Sequence, residues 1–119
     1  MARAYYGLSK QGTGLMQAAG ASSTILPSAT VSYYSALTYG MVGWVGATAG
    51  AMLRIREIDS ATSNTVWIGY LNAAQGVYNF EIGEEGIKGS ATATGYHLDT
   101  DTAGTVWAFF NGYWTRTNA

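Results

Sequence analysis

The sequence predicts an all-β protein, a jelly-roll-like antiparallel β-sandwich with an extended N-terminal arm. Between residues 51 and 114, short runs rich in β-branched and aromatic residues alternate with turn residues. Their spacing of roughly 8–12 residues is typical of an antiparallel sandwich or barrel. Eight short strands with such turns favour the double sheet of a jelly roll. A plain immunoglobulin-type sandwich is the alternative, although the chain has no cysteine to form that fold's disulfide.

The first 30 residues are predicted to form the arm, and residues 31–119 the sandwich domain. This N-terminal segment is dense in Gly, Ala, Ser and Thr, and its apolar residues follow no sustained period. Such a segment gains too little burial to fold alone. A frayed terminus is the alternative. We expect an arm that orders against a partner, because its apolar residues are unusually large for a frayed end: Tyr5, Tyr6, Leu15 and Met16.

The first two strands of the sandwich are predicted at residues 30–36 and 38–45, followed by a glycine-rich turn at 46–50. The uncharged run 36–53 is long enough to suggest a transmembrane helix. Its four glycines would each weaken such a helix by about 1 kcal/mol relative to alanine. Its aromatic and threonine residues suit strands better, so we interpret the run as strands and a turn.

Residues 51–57 show the clearest alternation in the chain. Leu53 and Ile55 are predicted to face the core, and Arg54 and Arg56 to face water. The remaining strands are predicted at 65–71, 77–82, 87–88, 96–99 and 105–110.

Two of these later strands carry specific predictions for their side chains. In the strand at 65–71, Val66, Ile68 and Tyr70 are expected to share one face. In the strand at 77–82, the inward-facing side chains are expected to be Tyr78, Phe80 and Ile82.

The bulk properties exclude several classes of protein. The formal net charge is −1 and no basic stripe is present, which argues against nucleic-acid binding. Without cysteine there are neither disulfides nor thiolate metal sites. We see no signal peptide, and we expect a protein that is made and used without secretion through a membrane.

Acidic and histidine side chains give weak signals for catalysis or metal binding. His97, the only histidine, lies two positions from Asp99, but no nucleophile elbow accompanies them. Asp99 and Asp101 offer too few oxygens for calcium by themselves. Glu81, Glu84 and Glu85 suggest the paired carboxylates of a glycoside hydrolase, but the adjacent Glu84 and Glu85 are better interpreted as a solvated turn. Gly12-Thr13-Gly14 lacks the third glycine and the preceding strand of a dinucleotide-binding motif. We expect no catalytic residue, no metal and no cofactor.

The aromatic residues are the most suggestive feature of the chain. Consecutive strand residues face opposite sides, so Phe109 and Phe110 cannot both point inward. Some large rings must be exposed or lie in an interface. We predict a partner interface that joins Trp67, Trp107 and Trp114 to the apolar residues of the arm. A platform that stacks on sugar rings is the alternative.

A resemblance covers roughly two-thirds of the chain, from about residue 38 to residue 114. It is carried by turn glycines and strand alternation in the segments Thr48-Ala49-Gly50, Leu53-Arg54-Ile55-Arg56, Val66-Trp67-Ile68-Gly69, Gly76-Val77-Tyr78-Asn79-Phe80, Gly86-Ile87-Lys88-Gly89, Gly95-Tyr96-His97-Leu98 and Thr105-Val106-Trp107-Ala108-Phe109-Phe110-Asn111-Gly112-Tyr113-Trp114. In these segments the chain resembles small virion proteins of tailed bacteriophages, namely jelly-roll head decoration or cement proteins and related β-sandwich appendage domains.

The resemblance implies a non-enzymatic structural protein. Its expected partner is the major capsid protein, on which it would sit as a homotrimer that braces neighbouring coat subunits. Its expected location is the virion, assembled in the host cytoplasm. The alternative is a receptor- or glycan-binding domain of a tail appendage on the same fold.

Overall fold

The computed structural model describes residues 10–16, 22–59, 63–101 and 105–116. This part of the chain consists of nine β-strands joined by turns and loops. The strands are β1 (Lys10–Met16), β2 (Ser22–Leu26), β3 (Tyr34–Val45), β4 (Met52–Ile58), β5 (Ser63–Tyr70), β6 (Gly76–Glu81), β7 (Ile87–Lys88), β8 (Gly95–Thr100) and β9 (Thr105–Thr115). Within the described residues we find no helix that is long and apolar enough to cross a membrane.

The strands form two antiparallel sheets that pack face to face. Sheet A has the order β1-β9-β3-β6. The short strand β7 pairs with the same side of β3 as β6 does, at Ala36 and Leu37, just past the end of β6. Sheet B has the order β2-β8-β4-β5. The chain passes repeatedly between the sheets, as in the two Greek keys of a jelly roll. The predicted all-β, jelly-roll-like sandwich is therefore confirmed.

The structure corrects the predicted start of the sandwich at residue 31. β1 pairs with β9 along its whole length, and β2 pairs with β8, so both belong to the sheets. Ile25 and Leu26 of β2 are fully buried in the core. Weakly patterned strands can form here because they add to the edges of sheets whose other strands supply the burial. The described part of the arm is thus sandwich, and Tyr5 and Tyr6 lie outside the described residues.

A single long strand replaces the two strands predicted at 30–36 and 38–45. Residues 30–33 form a turn in which Ser32 adopts a positive φ of 80°. β3 then continues past Thr38, where its register with β9 shifts between Leu37 and Tyr39. Thr38 is the extra residue of this bulge, and its hydroxyl donates a hydrogen bond to the carbonyl of Asn111 at 3.0 Å. A bulge changes which face the following side chains occupy without ending the strand.

The core lies between the sheets and confirms part of the predicted alternation. Leu53 and Ile55 are buried, whereas Arg54 and Arg56 lie on the outer face of sheet B. The predicted inward side chains of the strand at 77–82 also pack against the core. The fully buried side chains include Ile25, Leu26, Leu37, Val42, Leu53, Leu71, Tyr96, Leu98, Val106 and Phe110.

The predicted shared face of β5 was wrong. Val66 packs against the core, but Ile68 and Tyr70 are 48% and 59% exposed on the outer face of sheet B. The register between β4 and β5 shifts at this point, so that Trp67 pairs with Ile55 and Thr65 pairs with Arg56. Val66 is therefore the extra residue of a second bulge, which the alternation of the sequence does not reveal.

Candidate functional site

The outer face of sheet A carries an exposed, uncharged surface, which we term the apolar face. Residues that pair directly across antiparallel strands share a face of the sheet. Met41 pairs with Phe109, and Gly43 pairs with Trp107 on one side and Val77 on the other. Of the eight large hydrophobic side chains that are exposed in the described residues, five lie here. The apolar face consists of Tyr39, Met41, Val45, Val77, Trp107 and Phe109.

Trp107 is held at the centre of one end of this face. Its indole occupies the space above Gly43, where a Cβ atom would lie only 2.0 Å from a ring carbon. The ring of Phe109 is its neighbour on β9, at 5.9 Å between centroids. The indole therefore has a fixed position, because the strand beneath it offers a glycine and its aromatic neighbour limits its movement.

An open groove of about 340 Å³ lies beside Trp107. It is lined by Trp44, Val45, Gln75, Gly76, Val77 and Trp107. The side-chain amide of Gln75 is the polar group among these side chains that could hydrogen-bond a ligand, apart from the indole nitrogens. An open, mostly apolar depression of this kind can accept an apolar side chain or the face of a sugar ring.

Charge is concentrated away from the apolar face. Within β3, β6 and β9 the charged residue is Glu81, at the far end of the face opposite Tyr39. On sheet B, by contrast, Oδ2 of Asp99 accepts hydrogen bonds from Arg54 at 3.3 Å and Arg56 at 2.9 Å. One side of the sandwich is therefore nearly neutral and the other carries an ion-pair cluster.

The structure separates the tryptophans that the sequence grouped into one interface. Trp67 points between the sheets, where it makes edge-to-face contacts with Phe80 at 4.9 Å and Tyr78 at 5.4 Å. It is partly buried and packs against the core, apart from the apolar face, and its part in an interface stays a prediction. Trp114 lies on β9 opposite Ser35, seven positions from Trp107 and about 23 Å away along the strand. Of the three, Trp107 lies on the apolar face.

β1 brings the backbone of Leu15 and Met16 alongside β9. Leu15 pairs with Trp107, and Met16 pairs with Val106. β1 thus adds an outer strand to sheet A next to β9. The groove lies at the other side of the apolar face, beside β6.

A buried carboxylate is the residue that our sequence reasoning missed. Glu57 is 2% exposed, and the alternation of Leu53 and Ile55 already placed it on the core side of β4. Its Oε1 accepts a hydrogen bond from the hydroxyl of Ser90 at 2.8 Å. Its Oε2 accepts one from the hydroxyl of Thr94 at 2.7 Å and one from the N–H of Ala91 at 3.3 Å.

These hydrogen bonds determine the charge state of Glu57. Burial raises the pKa of the carboxyl, but the hydrogen bonds from Thr94, Ser90 and Ala91 outweigh burial, so the pKa lies below its ordinary value. An ionised carboxylate that accepts three hydrogen bonds is an anchor for the 89–94 loop. It is poorly suited to donate a proton to a substrate.

His97 lies on the outer face of sheet B, near the ion-pair cluster. Its Nε2 is 3.4 Å from the hydroxyl oxygen of Thr24. Burial lowers the pKa of His97. The negative charge of Asp99 raises this pKa, the positive charge of Arg56 lowers it further, and the net shift is a decrease. The Oδ2 atom of Asp99 accepts hydrogen bonds from two arginines, an arrangement unlike the acid that orients histidine in a catalytic triad.

Two of the other acidic candidates have structural partners. Asp101 accepts a hydrogen bond from the N–H of Met52 at 2.7 Å, and Glu85 forms an ion pair with Lys88 at 3.1 Å. In the described ranges no three side chains of the types that ligate metals come together. Comparison of the chain with models of known protein families gives no match, and comparison with curated proteins gives no significant one.

Proposed function

We propose that this is a non-enzymatic structural virion protein, a capsid decoration (cement) protein that braces coat subunits of a bacteriophage head. The observation that carries the proposal is the apolar face. A neutral, exposed surface built on β9, β3 and the edge strand β6 is suited to stable contact with another protein. The expected partners are the major capsid protein and further copies of the chain in a homotrimer. No nucleic acid, membrane or cofactor takes part.

The size of the apolar face explains why many copies would act together. From Tyr39 to Val45 and across three strands, its projected area is about 300 Å². A specific protein interface buries about 800 Å² on each partner. One copy would therefore bind weakly through this face alone. Additional contacts from the N-terminal arm, including Tyr5 and Tyr6, and from neighbouring copies in a lattice would supply the missing affinity.

Binding to undecorated bacteriophage shells tests the proposal. Wild-type protein is mixed with purified shells, and the bound copies are counted after sedimentation. The double variant Met41→Ser, Phe109→Ser is expected to lower occupancy at least tenfold, since it removes two exposed apolar side chains from the face. The matched control, Ile68→Ser with Tyr70→Ser, changes two comparably exposed side chains on sheet B and is expected to bind normally.

Deletion of residues 1–9 tests the arm separately, because it leaves both strands of the N-terminal segment in place. Reduced occupancy is expected. Full occupancy by the truncated chain refutes the role of the arm, and full occupancy by the Met41, Phe109 variant refutes the decoration role of the face.

The groove beside Trp107 favours a second candidate, a receptor- or glycan-binding domain of a tail appendage. Here an indole and the amide of Gln75 lie on one open depression, an arrangement that can stack on and hydrogen-bond a sugar. A glycan array is the measurement. Binding that is lost in Trp107→Ala and kept in Tyr70→Ala, which removes an exposed aromatic ring from the outer face of sheet B, would support this candidate over the first.

A further inference from the structure

We infer that β6 is the docking edge for a second copy of this chain, which pairs with it as an antiparallel strand about a two-fold axis at Asn79. This inference goes beyond the proposed function, since the two-fold contact at this edge is separate from the contacts of the proposed homotrimer. It holds or fails independently of the trimer and of any coat protein. It follows from the strand order, the composition of the edge and the side-chain alternation along it.

Among the described strands, the strand order leaves one long side of the sandwich without a neighbouring strand. β1 and β2 lie close to each other along one side. On the other side, β6 ends sheet A and β5 ends sheet B, and each has a single neighbouring strand in the described part of the chain. Trp67, Tyr78 and Phe80 fill the space behind these two edges. At the edge of β5 the carbonyl of Tyr70 already accepts a hydrogen bond from the hydroxyl of Tyr78. Among the described residues, β6 is therefore the edge whose outer backbone groups can pair with another strand.

The two edges differ in how they are protected. Proteins usually block exposed edges with lysine, proline, bulges or inward charges. β5 carries the bulge at Val66. β6 has six consecutive pairs with β3 in unbroken register. It contains neither lysine nor proline, and its single charge, Glu81, is the last residue. β6 is therefore the flatter and less protected edge.

The sequence of β6 is complementary to itself. In an antiparallel pair about Asn79, Tyr78 of each copy lies opposite Phe80 of the other, and Val77 lies opposite Glu81. Each pair joins residues of the same face, because Tyr78 and Phe80 both point inward and Val77 and Glu81 both point outward. The two glutamates do not meet, and the Asn79 amides can hydrogen-bond each other across the axis.

Pairing at this edge also enlarges the apolar face. Val77 is 49% exposed at the margin of sheet A, where the neighbouring copy would begin. The two sheets A would join into one continuous sheet, and their outer faces would form one neutral surface. A second copy explains an uncharged edge better than an acidic or basic peptide would, because the edge offers such a peptide little opposite charge.

A cysteine cross-link tests the arrangement, and the absence of native cysteine gives a clean background. Asn79→Cys places one thiol of each copy beside the axis, within reach of a disulfide. The matched control is Asn111→Cys, which changes the same residue type to cysteine at an exposed position on the same outer face but on the interior strand β9. On mild oxidation, Asn79→Cys is expected to give a covalent dimer in more than half of the chains and Asn111→Cys in few.

A second measurement uses the unmodified protein, in case the cysteine variant fails to fold. Hydrogen exchange is compared at low and high protein concentration. Alternate amides of β6 are expected to gain at least tenfold protection as the dimer forms, while amides of the interior strand β9 do not change. Equal cross-linking of both variants, no cross-linking of Asn79→Cys, or exchange in β6 that is independent of concentration would overturn the inference.

Discussion

The indole of Trp107 covers Gly43, its direct partner on the neighbouring strand of sheet A. The same relationship recurs where Phe110 covers Gly40 and Trp44 covers Gly76. In each pair an aromatic side chain occupies the volume that a Cβ atom of the glycine would need. Glycine within a strand normally weakens it, and a ring from the next strand compensates by packing on the bare backbone. The glycines of β3 and β6 are thus part of the packing.

Replacing Gly43 with alanine should therefore destabilise the fold through Trp107. The new methyl group would overlap the ring, and we expect a loss of about 1–3 kcal/mol in the free energy of unfolding. Urea denaturation followed by tryptophan fluorescence measures it. The control is the same substitution in a Trp107→Ala background, where the cost should largely disappear. Equal costs in both backgrounds would contradict the proposed packing.

The two tryptophans at 67 and 107 should respond differently to truncation. Trp67→Ala removes a ring from between the sheets, where it contacts Phe80 and Tyr78, and is expected to cost about 3 kcal/mol. Trp107→Ala removes a ring from an outer face and should cost about half as much. Thermal unfolding of both variants provides the comparison. A Trp107 variant that is the less stable of the two would show that the apolar face is a structural element.

Glu57→Gln tests the anchor of the 89–94 loop. Glutamine keeps the size but replaces a charged acceptor by an amide that presents donors to Ser90 and Thr94, so we expect a loss of about 1–3 kcal/mol. Chemical denaturation gives the value. Thr94→Ser, which retains the hydroxyl, should cost much less than Thr94→Val. If the serine and valine variants were equally stable, the hydrogen bond to Glu57 would contribute little.

Acidification should remove the stabilisation that the ionised carboxylate of Glu57 provides. Because the pKa of Glu57 is lower in the folded than in the unfolded chain, its stabilising effect is complete above the ordinary carboxyl pKa. It is lost as the pH falls through the folded value. His97 acts in the same direction, since its pKa is also lowered and the folded state favours the neutral ring. Unfolding free energies between pH 7 and pH 3 should decline more steeply for the wild type than for Glu57→Gln. Parallel curves would exclude Glu57 as the source.

The sequence was sufficient for the fold class because alternation and turn spacing survive in most strands. Residues 53–56 face as the pattern predicts. The departures occur at Thr38 and Val66, where bulges shift the register and the following side chains change face. Bulges arise from pairing with distant strands, so local alternation cannot locate them.

The candidate site was predictable only in part, for a related reason. That some aromatic rings must be exposed follows from consecutive large residues in β9, and Trp107 was among those expected. Trp67 faces the core and Trp107 faces outward because of the strands that pair with β5 and β9. Strand pairing joins residues far apart in the chain, so local sequence patterns do not reveal it. Glu57 is different, because the two-residue period of β4 already predicts that it faces the core. It was missed because carboxylates are usually assumed to be exposed to solvent.

The antiparallel pairing of β1 with β9 brings the two ends of the described sandwich together. Lys10 lies opposite Gly112, close to where β9 finishes at Thr115, and about 17 Å along the strand from Trp107. A short linker between these ends, with a new opening in the 72–75 turn, would give a circular permutant with every strand pair intact. Peptides joined directly before Lys10 or after Thr115 would likewise start from one pole of the described sandwich, with Trp107 towards the opposite pole.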